Sequence, residues 1–250
     1  MAEFKASFLN ELEKMYKKKK ALLIIIISIV AIVLGQLVVT GIRGGIGARV
    51  TDSSEFPKLV LSIFANVILP LFTALVAIDI FSGEFSQNTM KIILTRPISR
   101  FKLFTSKVFA IAFFILVNLF IVMILSTLAG FIFNPTSVTL LKIFRILLSY
   151  AVTLLPILSA ALIIVFFSNL FRSGTAVFFF SIILFIMFKV TGIIFQKYDS
   201  ILITSLFSWY EHWNADTIPV SKLIREFLIM LGYGIMFFTA GFYMYDKKDI

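Results

Sequence analysis

The sequence predicts an all-α polytopic membrane protein with six transmembrane helices, and three observations carry that expectation. Hydrophobic residues fill 60% of the 250 positions, charged residues only 14%, and 30 residues are Phe. A soluble domain carries about 25% charged and 45–50% apolar residues. Several charge-free runs are long enough to cross a hydrocarbon core, which takes about 20 residues of helix. Lys and Arg, finally, gather in alternate connections between those runs. One water-soluble core of this size has no room to hide so much apolar surface, which excludes a soluble enzyme, a disordered chain and a disulfide scaffold.

Residues 1–20 come before the first run. Phe4, Phe8, Leu9, Leu12, Met15 and Tyr16 recur at close to helical spacing. Glu3, Lys5, Asn10, Glu11, Glu13 and Lys14 are assigned to the other side, so an amphipathic helix lying in the membrane interface is expected. The apolar stretch that follows exceeds the roughly 7–15 residues of a cleaved signal and is read as a retained span. Spans are expected at about 21–42, 59–82, 108–133, 146–171, 173–195 and 227–245. The charge-free stretch Val108–Leu141 is too long for one crossing. Its Asn134-Pro135-Thr136-Ser137 is a turn signal, which ends the third helix near Phe133. Pro70 and Pro156 fall mid-span, where proline can kink a helix, and no further role is assigned to them. The whole chain, 1–250, reads as one transmembrane domain.

Orientation follows from the basic residues of the short connections. With the N-terminus inside, the cytoplasmic segments hold 14 of the 23 Lys and Arg residues. The outer segments hold Arg43, Arg49, Lys58, Lys142, Arg145, Lys197, Lys222 and Arg225, and Lys189 lies within the fifth span. The Lys17–Lys20 cluster against span one decides the matter, so both termini are expected in the cytoplasm. The outer segment 196–226 is the longest. Its Trp209-Tyr210-Glu211-His212-Trp213 suits the headgroup region, and a re-entrant or interfacial helix is expected there.

The absent chemistry is as informative. No Cys is present and His212 is the single His, which removes thiol catalysis and the usual zinc sites. The sequence has no P-loop, no H-E-x-x-H and no G-x-S-x-G. The chain is therefore expected to be no enzyme and to bind no cofactor or metal of its own. The net charge of +10 reads as attraction to anionic membrane lipids rather than to nucleic acid. A proton- or sodium-coupled carrier places ionisable groups near mid-membrane. Here Asp79 falls at the cytoplasmic end of span two. Lys189 lies about 17 residues into span five, which at 1.5 Å per residue puts it in the outer half, within reach of the headgroups by snorkelling. Neither makes a proton relay, so the energy for transport is expected from outside the chain.

Most of the remaining signal lies in the cytoplasmic connection 83–107. Pro97 interrupts any continuous helix there, and it biases Arg96 away from helical angles. A short helix from about Phe85 to Leu94 is expected, then a turn, with Ser99 capping the helix that becomes span three. Met90, Ile93 and Leu94 would share one face, suited to a partner's groove.

The stretch from Asp79 to Lys107 resembles the hallmark segment of permeases of the type-2 ATP-binding-cassette exporter family. The matching residues are Asp79, Gly83-Glu84, Thr89, Leu94, Pro97-Ile98-Ser99-Arg100 and Lys107, with Asn88 where the family carries Gly. The layout is similar too: an interfacial N-terminal helix, six spans, a large outer segment before the sixth span and a basic tail. The resemblance implies a permease subunit in the cell membrane, paired with a second copy or a sister permease. Each permease would sit on one member of a cytoplasmic ATPase pair that holds the ATP and magnesium. Glu84, Asn88, Thr89, Lys91, Arg96, Pro97 and Arg100 would carry the coupling. Glu84 would complement the loop helix's macrodipole or pair with Arg96 or Arg100.

Gln36, Asn66 and Asn118 are candidate residues of a translocation path. The same side chains would serve packing equally well, through interhelical hydrogen bonds worth about 0.6 kcal/mol on average. The cargo expected is an amphipathic peptide, antibiotic or lipid-like molecule. Two rivals remain open. A stand-alone channel or carrier requires a polar pore or a mid-membrane coupling site. A non-transporting scaffold would tolerate loss of the loop helix.

Overall fold

The computed structural model of the chain describes residues 2–17, 20–46, 51–86, 98–136, 139–171, 173–215 and 217–247. These residues form helices and turns with no strand among them. Among the described residues nine α-helices follow in order: α1 Ala2–Lys17, α2 Lys20–Ile46, α3 Phe56–Ile63, α4 Leu69–Ser86, α5 Arg100–Phe133, α6 Leu140–Leu170, α7 Gly174–Ile194, α8 Trp209–His212 and α9 Val220–Asp246. A π-helical turn, Phe64–Ile68, joins α3 to α4 without a break. The described residues thus hold six helical stretches long and apolar enough to cross a membrane.

Local signals explain the helix ends. Ser99 is the N-cap of α5, its hydroxyl accepting from the Lys102 amide at 3.4 Å, which supplies one of the donors a first turn leaves open. Ser173 does the same for α7 through Ala176. Pro57 stands in the first turn of α3, where its missing N–H costs no helical bond. Asn134 ends α5 at the expected turn. Pro156 sits inside an unbroken α6. Pro70 follows the π-helical turn; its ring would clash with the carbonyl four residues back, and a π-turn is one way a helix absorbs such a fault.

The helices begin somewhat before the charge-free runs. α5 starts at Arg100, directly after the expected Ser99 cap and ahead of the apolar run that begins at Val108, and α9 starts at Val220 rather than at Phe227. Charged residues in those first turns do not end the helix: Lys102 is exposed, while Lys107 and Glu226 are buried against partners. In the outer segment, two 3₁₀ turns, Gln196–Ile201 and Leu206–Ser208, precede the single turn of α8. Ile203, Leu206, Phe207, Trp209 and Tyr210 of this segment are buried, so it folds as short turns onto the end of the bundle. The expected helix from Phe85 to Leu94 falls largely on residues 87–97, which lie outside the described residues.

α6 is the central helix, with 61% of its apolar window buried against 11% for α9. It packs on α9, α4 and α5. Contacts at the two ends of the bundle fix the topology. At one end Glu3 meets Lys102, Arg100 bonds the Asp246 carbonyl and Ser82 bonds the Ser168 carbonyl at 3.0 Å. At the other, Asn134 bonds Gln36, Ser53 meets Thr136 and Tyr150 bonds the Pro57 carbonyl. The crossings alternate in direction. The start of α1 and the end of α9 therefore lie at the end of the bundle that carries the α4–α5 connection. Exposed Leu, Ile, Val and Phe cover α2, α5, α7 and α9, the surface expected against lipid rather than water.

Candidate functional site: the foot of the bundle

At the end where α4 stops and α5 starts, four helices are braced together. α1 runs alongside α5 in the same direction. Phe4 meets Phe109 edge-on at 5.8 Å between ring centroids, and Phe8 meets Phe113 at 6.0 Å, the geometry aromatic pairs prefer. Between them the hydroxyls of Ser7 and Ser106 lie 2.7 Å apart. One turn along α1, the Glu11 carboxylate faces the Lys107 ammonium at 3.3 Å.

Lys107 is fully buried and Glu11 is 2% exposed. The ammonium also donates to the Ile80 carbonyl of α4 at 3.2 Å and stands 5.8 Å from the centre of the Phe81 ring, within the range of a cation–π contact. Lys14, itself 40% exposed, donates to the other Glu11 oxygen at 2.8 Å. Burial acts to raise the Glu11 pKa. Lys107 and Lys14 outweigh it and hold the carboxyl below its ordinary value. One buried lysine thus ties α5 to α1 and α4.

An aromatic cluster closes the opposite side of the foot. Phe81 and Phe104 pack on Tyr245 at 6.0 and 5.6 Å, and Phe101 and Phe104 pack on Phe238 and Phe242 of α9. Gly241 faces this cluster, and a Cβ there would sit 3.4 Å from the Phe104 ring, in ordinary contact. Both helices that flank the 87–97 connection are thereby anchored in a packed socket.

Two of the sequence-predicted coupling residues are described at this foot. Glu84 lies in the last turns of α4, and Arg100 opens α5, its guanidinium donating to the Asp246 carbonyl. Asn88, Thr89, Lys91, Arg96 and Pro97 lie outside the described residues, as does the Glu84 side chain. Asp79 is half-buried in α4. Glu11 departs from expectation: placed on the polar side of α1, it is buried against Lys107. The signal was present, because Glu11 falls inside the stripe Phe4, Phe8, Met15 at helical spacing and so shares the face that docks.

The three candidate path residues occupy separate surroundings. Gln36 is buried and accepts from the Asn134 amide at 3.1 Å. Asn118 donates to the Phe114 carbonyl at 2.7 Å and borders a small cavity of about 60 Å³ beneath Leu12, Met15 and Tyr16 of α1. Asn66 stands in the π-helical turn and accepts from Lys189 at 2.8 Å. The sequence reading left Lys189 to the headgroups, whereas it bonds a neighbouring helix. Among the described residues no three His, Asp or Glu side chains converge as a metal site would require.

Residues 7–192, most of the chain, match the profile of a family described as ABC-2 family transporter protein. The chain is also similar to two proteins of Bacillus subtilis (strain 168). It is 38% identical to the uncharacterized protein YhcI over 87 residues, 35% of this chain and 25% of that one. It is 26% identical to the uncharacterized membrane protein YdbK over 212 residues, 80% of this chain and 85% of that one. The match thus spans a quarter of the first relative's length and most of the second's.

Proposed function

We propose, from the premise that this multi-pass membrane chain belongs to the ABC-2 transporter family, that it is the permease subunit of an ATP-driven exporter. Two copies, or this chain and a sister permease, form the path for an amphipathic peptide, antibiotic or lipid-like molecule. A pair of cytoplasmic ATPase subunits binds ATP and magnesium and docks on the 83–107 connection. Both termini and that connection face the cytoplasm, where the Lys17–Lys20 cluster meets anionic lipid.

The observation that best supports this reading is the rigid mounting of the connection. Its two flanking helices are anchored through Lys107 to Ile80 and Glu11, and through Phe104 to Tyr245. A partner pushing on residues 87–97 would move α4, α5, α1 and the end of α9 as one body, because close-packed interiors transmit displacement rather than absorb it. Energy from outside the chain could enter there without any coupling ion.

The test is charge reversal at Glu84 and at Arg96 in the full chain, with the ATPase recovered alongside it from native membranes. The reading expects both variants to fold and to lose most of the ATPase. Full recovery of the ATPase with transport intact in both would refute it.

A further inference from the structure

Away from the foot, a groove of about 270 Å³ runs between α4 and α7, close to the smaller ligand pockets at about 300 Å³. Its walls are apolar apart from Ser181, whose hydroxyl is taken up by the Val177 carbonyl of its own helix, and its other polar groups gather at one end. There Lys189 of α7 is exposed and donates to Asn66 Oδ1 at 2.8 Å. Asn66 is held in turn by its own amide, which donates to the Ser62 carbonyl at 3.0 Å. Thr204, from the outer segment, lines the same groove at 1% exposure, and its buried hydroxyl has no hydrogen-bond partner. Among the described residues no carboxylate pairs with Lys189. Asp199, packed against Gly192 one turn further along α7, accepts from Ser205 instead.

The groove opens sideways. Val67 and Ile186 on its rim are 60% and 57% exposed, so its floor continues onto the lipid-facing surface of α4 and α7. Lys189 stands 15 residues beyond Gly174, the first residue of α7, which is about 22 Å of rise along the axis. In a hydrocarbon core of about 30 Å that leaves the Lys189 backbone about 8 Å below the far interface, where a phosphodiester sits within reach of its long stem.

We infer that this groove is a binding site for an anionic phospholipid of the bilayer. One acyl chain lies along the apolar walls between α4 and α7. The phosphate takes the Lys189 ammonium, with the Asn66 and Thr204 side chains beside it. A zwitterionic lipid fits the groove equally well by its chain but brings a second cation toward Lys189, so the site discriminates by headgroup. The π-helical turn has a place in this arrangement, since it sets Asn66 opposite Lys189. The inference requires only that the chain spans a membrane, and it stands whether or not an ATPase drives the protein.

The experiment uses the purified full chain in nanodiscs, with spin-labelled phosphatidylglycerol or phosphatidylcholine as the probe. The immobilised fraction of each lipid is read from the resonance spectrum. The wild type is expected to immobilise phosphatidylglycerol preferentially. K189Q should lower that preference about fivefold, the effect of one basic residue on anionic lipid, while K189R retains it. V67W, which fills the groove from its exposed rim, should reduce immobilisation of both lipids. An unchanged preference in K189Q, or unchanged immobilisation in V67W, would overturn the inference. Cross-linking of I186C between two copies, with labelled lipid excluded, would also overturn it by assigning the groove to a second copy of the chain.

Discussion

Lys107→Met is the perturbation that most sharply separates a buried structural charge from a loop charge. Methionine keeps the length and the apolar stem of lysine and removes the ammonium. The loss takes with it the 3.3 Å contact to Glu11 and the 3.2 Å bond to the Ile80 carbonyl. Removing one partner of a buried ion pair costs about 3–5 kcal/mol, because the other charge stays behind in a poor solvent. Lys14 remains 2.8 Å from Glu11, which places the expected cost at the lower end, about 3 kcal/mol. Replacing both members by apolar residues removes the stranded charge, and such replacements are often neutral or stabilising. The double variant E11L/K107M should therefore lie within about 1 kcal/mol of wild type. Unfolding of the purified chain in mixed micelles with increasing SDS, followed by circular dichroism, measures all of these. Additive costs in the double variant, or a cost under about 0.5 kcal/mol for K107M as for an ordinary surface change, would refute the buried-pair argument.

Acid should release the same contact. Lys107 and Lys14 lower the Glu11 pKa on folding below its ordinary carboxylate value, so the ionised carboxylate contributes stability that is full above the ordinary value. The contribution is lost as pH falls through the folded pKa, that is, below pH 4.5. Spin labels on cysteines placed at the exposed Leu9 and Leu116, in a chain with no native Cys, should keep a single short distance at neutral pH. The distribution should broaden as pH falls below 4.5 in wild type and lose that pH response in E11L/K107M. Gly130→Ala probes the other end of the bundle. Its Cβ would come within 2.6 Å of the Ser53 carbonyl, and overpacking of this kind costs about 1–3 kcal/mol, readable in the same SDS titration. Tyr150→Phe removes a hydroxyl that donates to the Pro57 carbonyl at 2.8 Å and meets Ser126 at 2.9 Å. It should cost about 1 kcal/mol, between the membrane average and the typical value for a buried hydrogen bond.

Much of the fold was legible because lipid imposes a simple rule: a crossing must be a helix of about 20 apolar residues. That rule located all six crossings, and turn chemistry found the end of α5 near Phe133 and the Ser99 cap. The start of α9 was less legible, since it extends beyond its apolar run into turns where hydrophobicity carries no signal. The π-helical turn at Phe64–Ile68 was not legible, because backbone hydrogen-bond register leaves no compositional trace. The foot was half legible. Its place followed from the motif between Asp79 and Lys107, but Lys107 was counted as a loop charge although it opens a long apolar run. Glu11 was assigned by its polarity rather than by its position in the docking stripe. Pairings such as Lys189 with Asn66, 123 residues apart, depend on helix rotation, which a single sequence does not reveal.

The central claim is that an ATPase sits on the 83–107 connection. A photo-crosslinking amino acid in place of Lys91, in the full chain in its native membranes, addresses this most directly, with adducts identified by mass spectrometry. The account predicts one dominant adduct to a cytoplasmic protein carrying a nucleotide-binding P-loop, and its loss when Arg96 is changed to Glu. A well-folded chain whose adducts include no nucleotide-binding protein would contradict it, and would return the molecule to the class of unpowered pores and scaffolds.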